Sequence, residues 1–383
     1  MLFSKKDLQK LIIPLMFEQL LAVSVGMVDT LMVSQAGEAA ISGVALVDNI
    51  NRLIIQVMAA LATGGAVVCS QFVGKGKEEG AKKSGAQLET VLLVFSVCMT
   101  LLSLIGTRGL LHAVFGNVSE DVMDSAVLYF TVTSLSFPFL GIYNAGAAIF
   151  RSIGNSKISM QISLLMNVIN IVGNAIFVFG FHWAVFGVAL ATLLSRIVAG
   201  IVITLLVCGK TNPIRIDKWS ELKPDGSIIK KILAIGIPSG VENGMFQIGK
   251  LAVTSMVATF GTASIAANSV GYTVIDFANI PGNAMGLALI TVVGQCIGAG
   301  EKKQAKQYTK KLVGLAYLGD WICNIALFLL SGTIAKCFHL SPEAVRIAEQ
   351  ILHCFAVTSL FIWPLSFTPV SYTHLRAHET RHD

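Results

Sequence analysis

The chain has 383 residues, 54% of them hydrophobic and only 13% charged, where an ordinary soluble domain carries about 25% charged residues. Its apolar stretches run to about 20 residues or more, each enough to cross a bilayer core. A soluble fold is thereby excluded, an all-α polytopic membrane protein is predicted, and the net charge of +6 is assigned to basic loops rather than to nucleic-acid binding.

The N-terminal MLFSKKDLQK leads into a first apolar span that is too long for a signal-peptide core. Ten spans follow in chain order, at about 8–34, 45–73, 86–108, 122–150, 158–181, 185–208, 228–258, 264–297, 309–335 and 344–369. Basic residues collect after every second span. They are Lys5, Lys6 and Lys10 before the first, Lys75, Lys77, Lys82 and Lys83 after the second, and Arg151 and Lys157 after the fourth. The polar linker after the sixth and the run from Lys302 to Lys311 after the eighth continue the series. The opposite loops hold Arg108, Lys336 and Arg346. This bias puts the N-terminus and the linker in the cytoplasm, and the protein in the cytoplasmic membrane of a bacterium. The seven cysteines are scattered and form no CxxC pair, so neither a disulfide framework nor a metal site is expected of them.

In the first span, GMVDTLMV (26–33) places Asp29 in an otherwise apolar run. A carboxylate at that depth is expensive and points to function. Glu18 lies eleven residues earlier, about 16 Å along the same helix face, and Pro14 loosens the span between them and the N-terminus. In the fifth span, Asn167, Asn170 and Asn174 are spaced by three and four and share one face. Interhelical hydrogen bonding, at about 0.6 kcal/mol each, is the bland account of such amides. The alternative is a hard-cation or proton site, with neutral oxygens beside a carboxylate. Weaker polar signals are Gln71 and Gln295 at two loop entries, Asp48 one turn before Arg52, Glu242 two turns before Lys250, Asp276 in the eighth span and Asp320 in the ninth. Glu242 has neutralisation of Lys250 as its alternative role, and the acids near span ends have snorkelling as theirs.

The second half restarts the first. IPLMFEQ (13–19) matches IPSGVEN (237–243), and at a shift of 224 residues Gln71, Gly74 and Gly76 fall on Gln295, Gly298 and Gly300. Further on, VTSLSFP (132–138) resembles VTSLFIWP (357–364). An even number of spans per unit makes a parallel repeat, a plan suited to two lobes rocking around a central cavity. The expected organisation is a six-helix lobe at 1–209, a cytoplasmic linker at 210–227, a partial four-helix lobe at 228–370 and a tail at 371–383 that reads as foreign to the protein. The tail contains HETRH (378–382), a formal zinc-hydrolase pattern with His378, Glu379 and His382, but with nothing in the sequence to enclose it.

GMVDTLMVS in the first span, INIVGNAIFVFG in the fifth, GVALATLLS in the sixth and the paired Gln71 and Gln295 loop entries together resemble the multidrug and toxic compound extrusion (MATE) family, over residues from about 5 to 370. The resemblance implies twelve helices in two lobes, a monomer embedded in lipid, no cofactor, and no enzymatic activity. It implies export of small organic cations or amphipathic drugs in exchange for protons or sodium. It carries a cation site onto Asp29, Asn170, Asn174 and Thr192, with Asn174 standing where some members have an aspartate, so proton and sodium coupling both stay open. Some relatives use a seventh-span acid, and Glu242 lies about one turn before that position. Two other readings are kept: a lipid or lipid-linked oligosaccharide flippase of the same superfamily, which a cavity rich in Arg and Lys would favour although the deep basic candidates here are only Arg52, Arg196 and Lys250, and a membrane zinc hydrolase using HETRH.

Overall fold

The computed structural model describes residues 2–33, 38–115, 119–209, 212–216, 219–338 and 341–360. Thirteen α-helices account for most of them. The first half contains α1 (Lys5–Val33), α2 (Glu38–Gly74), α3 (Glu78–Ile105), α4 (Thr107–Phe115), α5 (Glu120–Ser134), α6 (Phe137–Ser152), α7 (Ser156–Asn174) and α8 (Ala184–Val207). The second contains α9 (Gly226–Ala258), α10 (Thr262–Ala278), α11 (Ile280–Gly298), α12 (Lys302–Cys337) and α13 (Pro342–Ser359). Among the described residues seven helices are long and apolar enough to cross a membrane, or eight if α5 and α6, bent by 46°, form one broken span. Over their described lengths α9 and α13 are too polar to meet that measure.

Over the described residues the predicted spans coincide with these helices, the end of the tenth (361–369) lying outside them, but two of them are broken. Pro138 and Pro281 each stand in the first turn of the second helix of a pair, α6 and α11. Proline lacks the amide that an interior turn would need, so it sits best where a helix begins. The position 224 residues before Pro281 is Val57, and there α2 runs on unbroken.

Helix α2 occupies the centre. Its small residues let other backbones come close, the usual device where lipid offers no hydrophobic drive for helix pairing. Gly64 lies against the backbone of Ile232 and Gly236 on α9, and Gly236 lies against Leu61. At the far end of α2, a Cβ on Gly74 would strike the carbonyl of Gln295, and a Cβ on Gly298 would strike the carbonyl of Gln71. Between these two contacts Gly294 rests on Ser70. Under the 224-residue shift the Gly74–Gln295 contact becomes the Gly298–Gln71 contact, and Ser70 and Gly294 exchange places. The α2–α9 contact has its counterpart too, where Leu8, Leu11, Ile12 and Leu15 of α1 pack with Ala284, Met285 and Ala288 of α11. Gly76 and Gly300, shifted copies of each other, close these helices with φ of 66° and 81°, a conformation glycine adopts without a Cβ penalty.

The same shift governs α12. Its buried residues Ala305, Tyr308, Leu312, Ala316, Asp320, Asn324, Leu327, Ser331 and Ala335 fall on Ala81, Ser84, Leu88, Leu92, Ser96, Thr100, Ser103, Thr107 and Leu111, all buried in α3 and α4. The segment between the halves is tied down rather than loose. Gln87 Nε2 donates to the carbonyls of Glu221 and Lys223 at 3.1 and 2.9 Å, and its Oε1 accepts from Asp225 N at 2.8 Å. Asp225 then caps α9 through Ser227 N and meets Lys83 at 2.6 Å.

Because Gly74 and Gly298 each abut backbone and not a flexible side chain that could yield, Gly74→Ala and Gly298→Ala are expected to destabilise the protein by similar amounts, about 1–3 kcal/mol each. Thermal unfolding of the two variants in detergent checks this; a neutral effect at either position contradicts the reciprocal contact.

Candidate functional site

Helix α7 is built inside out. Ser156, Ser159, Ser163, Asn167, Asn170 and Asn174 form its buried stripe, while Leu164, Leu165, Val168, Val172 and Ile176 are exposed. Lipid as solvent explains the inversion, since polar side chains must find partners inside the bundle and apolar ones cost nothing outside it. Asn170 Nδ2 donates to Thr192 Oγ1 of α8 at 3.2 Å, and Asn174 Nδ2 donates to Asn170 Oδ1 at 3.2 Å. Three of the four expected cation-site residues, Asn170, Asn174 and Thr192, therefore form one buried hydrogen-bonded chain. Asn167, one turn earlier, is also buried, and its Nδ2 has no hydrogen-bond partner among the described residues. The fourth expected residue, Asp29, belongs to α1, which packs along α7; its side chain lies outside the described residues.

Directly after Asn174 the backbone changes to a π-helical turn, Ala175–Gly180. Such widened turns recur at functional sites. The turn ends under an aromatic stack in which Phe177 and Phe181 each lie on Trp183, at centroid distances of 5.8 and 5.0 Å. His182 and Ala184 beside it have φ of 56° and 37°, uncommon for residues other than glycine. Helical spacing carries no sign of the π turn, although the aromatic run FVFGFHW (177–183) is visible in the sequence.

Glu18 is fully engaged by neighbouring helices. It forms an ion pair with Arg151 of α6 at 2.8 Å, with the side chains only 9% and 14% exposed. Its other oxygen accepts from Ser159 Oγ at 2.7 Å. The same short stretch of α6 is held by the second half: Thr291 Oγ1 donates to the Arg151 carbonyl at 2.9 Å, and Gln295 Nε2 donates to the Ser152 carbonyl at 2.7 Å. Ser156 Oγ donates to the Leu11 carbonyl at 2.6 Å, tying α7 to α1 at the same level. Glu18 and Gln295, expected as cavity polar groups, thus belong to a latch between helices, and Gln71 belongs to the α2–α11 crossing. Arg151 entered the sequence reading only as a topology charge, and its role as the partner of Glu18 was not legible in spacing because 133 residues separate them.

The remaining expected polar residues lie around the middle of α2, α9 and α10. Asp48 accepts from Tyr129 Oη at 3.3 Å and lies in electrostatic reach of Arg52. Asp276 lies in reach of both Lys250 and Arg52. Lys250 covers the Tyr272 ring at 4.6 Å. Glu242 is exposed on α9 and makes no ion pair with Lys250 among the described residues. Since Arg52 and Lys250 stand beside acids, they do not make the basic cavity that a pyrophosphate-bearing lipid would require.

Comparison with known proteins agrees with this architecture. The MatE family model matches residues 14–176 and 238–381. A probable multidrug resistance protein NorM of Thermotoga maritima is 25% identical over 365 residues, covering 94% of this chain and 77% of that protein. A multidrug export protein MepA of Staphylococcus saprophyticus is 22% identical over 372 residues, covering 94% and 79%. Among solved structures, a MATE crystal structure in complex with MaL6 superposes with a TM-score of 0.90 at 23% identity, covering 97% of this chain and 83% of that one. The HETRH string lies outside the described residues, and a family of transporters rather than hydrolases accounts for the membrane helices on both sides of the linker. The chain belongs to the MatE family of multi-pass membrane transporters.

Proposed function

We propose that the protein is a cation-coupled antiporter that exports small organic cations or amphipathic drugs across a bacterial cytoplasmic membrane by alternating access. The observation that carries this reading is the buried chain Asn174–Asn170–Thr192 on the helix that packs against the Asp29-bearing α1. Amide and hydroxyl oxygens gathered in a low-dielectric interior favour a small cation, and a carboxylate beside them supplies the charge that makes the binding switchable. Asp29 is the group that takes up a proton or sodium; Asn170, Asn174 and Thr192 supply neutral oxygens. The multidrug names of the relatives support the substrate class.

Two lobes and a rocking motion follow from the repeat. The paired contacts of α2 with α11, and of α2 with α9 against α1 with α11, support a pseudo-two-fold axis through Ser70 and Gly294. The lysine-rich turns fall at the end that carries the N-terminus and the linker, which supports a cytoplasmic N-terminus. At that same end Thr291 and Gln295 hold α6 while Arg151 holds Glu18, so the present arrangement is closed toward the cytoplasm. Ion binding at Asp29 in this outward-facing state favours substrate release. Opening toward the cytoplasm then requires the latch to part, releasing the ion and loading substrate.

Ethidium efflux from vesicles tests the first step: Asp29→Asn is expected to abolish gradient-dependent efflux, and efflux that continues unchanged sinks the proposal. The latch is tested by stability. Arg151→Leu leaves the Glu18 carboxylate buried without its partner and is expected to cost about 3–5 kcal/mol, whereas replacing both residues with apolar ones recovers most of that loss. Unfolding midpoints of the single and double variants in detergent decide it; equal losses in both contradict a pairwise role.

A further inference from the structure

The second half contains an acid that neither the latch nor the proposed cation site uses. Asp320 lies on the buried stripe of α12 and is 1% exposed. Its Oδ1 accepts from the backbone N of Gly282 at 3.1 Å, in the first turn of α11. Its Oδ2 is buried and has no hydrogen-bond partner among the described residues. One turn further along α12, Asn324 is 2% exposed; its Nδ2 donates to the Asp320 carbonyl at 2.8 Å, which fixes the amide, and its Oδ1 is likewise buried without a partner.

The repeat shows that this layer of packing does not need an acid. At a shift of 224, Asp320 and Asn324 fall on Ser96 and Thr100 of α3. Both are buried and satisfied: Ser96 Oγ donates to the Leu93 carbonyl at 3.0 Å, and Thr100 Oγ1 donates to the carbonyls of Ser96 and Ser134 at 3.0 and 2.8 Å. In the VTSL segment shared by both halves, Ser134 corresponds to Ser359 of α13, whose Oγ is again buried without a partner among the described residues. The first half fills the layer with bonded hydroxyls. The second half fills it with a carboxyl, an amide and a hydroxyl, each with an atom left unpaired.

We infer that Asp320 and Asn324 form a proton-binding site inside the second half of the chain. One proton added to Oδ2 turns that oxygen into a donor, and the amide oxygen one turn away, at Cβ spacing of about 5–6 Å, is an acceptor. A single O–H···O hydrogen bond then satisfies both orphaned atoms and removes the cost of a buried unpaired charge. A hard metal cation takes about six oxygen ligands, more than the described residues offer here. The deprotonated form has its own support, since the Gly282 amide at the start of α11 favours an anion, and this opposition is what allows the site to switch. Among the described residues no basic side chain pairs with Asp320. The groups around it are the Gly282 amide and Pro281 from α11, the Cys323 thiol on α12 itself and the apolar faces of α10 and α13. The α10–α11 break beside Gly282 is the element whose geometry the proton would bias. Any part the site plays in transport rests on the antiport reading; the proton site itself does not.

Infrared difference spectra of the full chain in liposomes, taken between alkaline and acidic pH, test this. A carboxylic acid C=O band is expected to appear on acidification, to be lost in Asp320→Asn, to move in Asn324→Leu and to persist in Asp29→Asn. A band that is unchanged in Asp320→Asn, or that does not titrate in the parent chain, overturns the inference. If Asp320→Asn does not fold, Asp320→Glu carries the test, with a displaced band supporting the site and an unmoved one overturning it. In the same liposomes, failure of the antiport reading shows as ethidium efflux insensitive to Asp29→Asn while the Asp320 band still behaves as expected, so the two outcomes are separable.

Discussion

The crossing of α2 and α11 is the constraint on which the arrangement of the chain depends. At Gly74 and Gly298 the two halves of the sequence touch backbone to backbone, as they also do at Gly64 and Gly236, and here each glycine meets the glutamine three residues before the other. A contact made by two shifted copies of one sequence is self-complementary by construction, as an isologous dimer interface is. It explains why the glycines stand where they do. Gln71 and Gln295 enter the crossing through their backbones, and the Gln295 amide reaches on to the Ser152 carbonyl. With the crossing set, α1 lies on α11 as α9 lies on α2, and the last turn of α6 comes within reach of Thr291 and Gln295.

Lipid imposes the second constraint. Because apolar side chains gain nothing by leaving a hydrocarbon solvent, what is buried in this bundle is disproportionately small or polar, and each buried polar atom needs a partner. Most have one. Ser84, Thr90, Ser96 and Thr100 of α3 donate to the carbonyl three or four residues back, the cheapest satisfaction a helix offers. The exceptions are therefore informative. Among the described residues, unpartnered side-chain atoms on Asn51, Ser70, Asn144, Asn167, Asp320, Asn324 and Ser359 are places where local bonding alone has not met the demand of burial.

Much of this was legible before any coordinates. Hydropathy located the spans, and the repeat at 224 residues was visible in the paired Gln71 and Gln295 loop entries; that buried positions of α12 copy those of α3 and α4 emerged only from the structure. Asn170 and Asn174 were marked by their shared face, while Thr192 entered only through the family resemblance; the structure joins all three. What was not legible was pairing at long range. Glu18 and Arg151 are far apart in sequence and carry no pattern that links them, so helical spacing could not name the partner of Glu18. The π turn after Asn174 is a backbone event with no period to betray it. Glu242 and Lys250 failed for a related reason: two turns of spacing allow a pair but do not require it, and the ring of Tyr272 took the lysine.

The departures from the repeat carry most of the functional content. A duplicated scaffold explains everything that both copies share, and so it explains helices, crossings and glycines. It does not explain Asp29, whose shifted position holds Val253, or Asp320, whose shifted position holds Ser96. Each half thus carries a carboxyl on a scaffold position that its copy fills with a neutral residue. Packing is satisfied in the copy without the acid, and in the second half it is left incomplete with it. A residue that worsens the local packing relative to its own internal twin is retained for something other than the fold. For Asp320 the missing partner is a proton, and the helix break at Gly282 and Pro281, absent from the first half, is the element its charge would move.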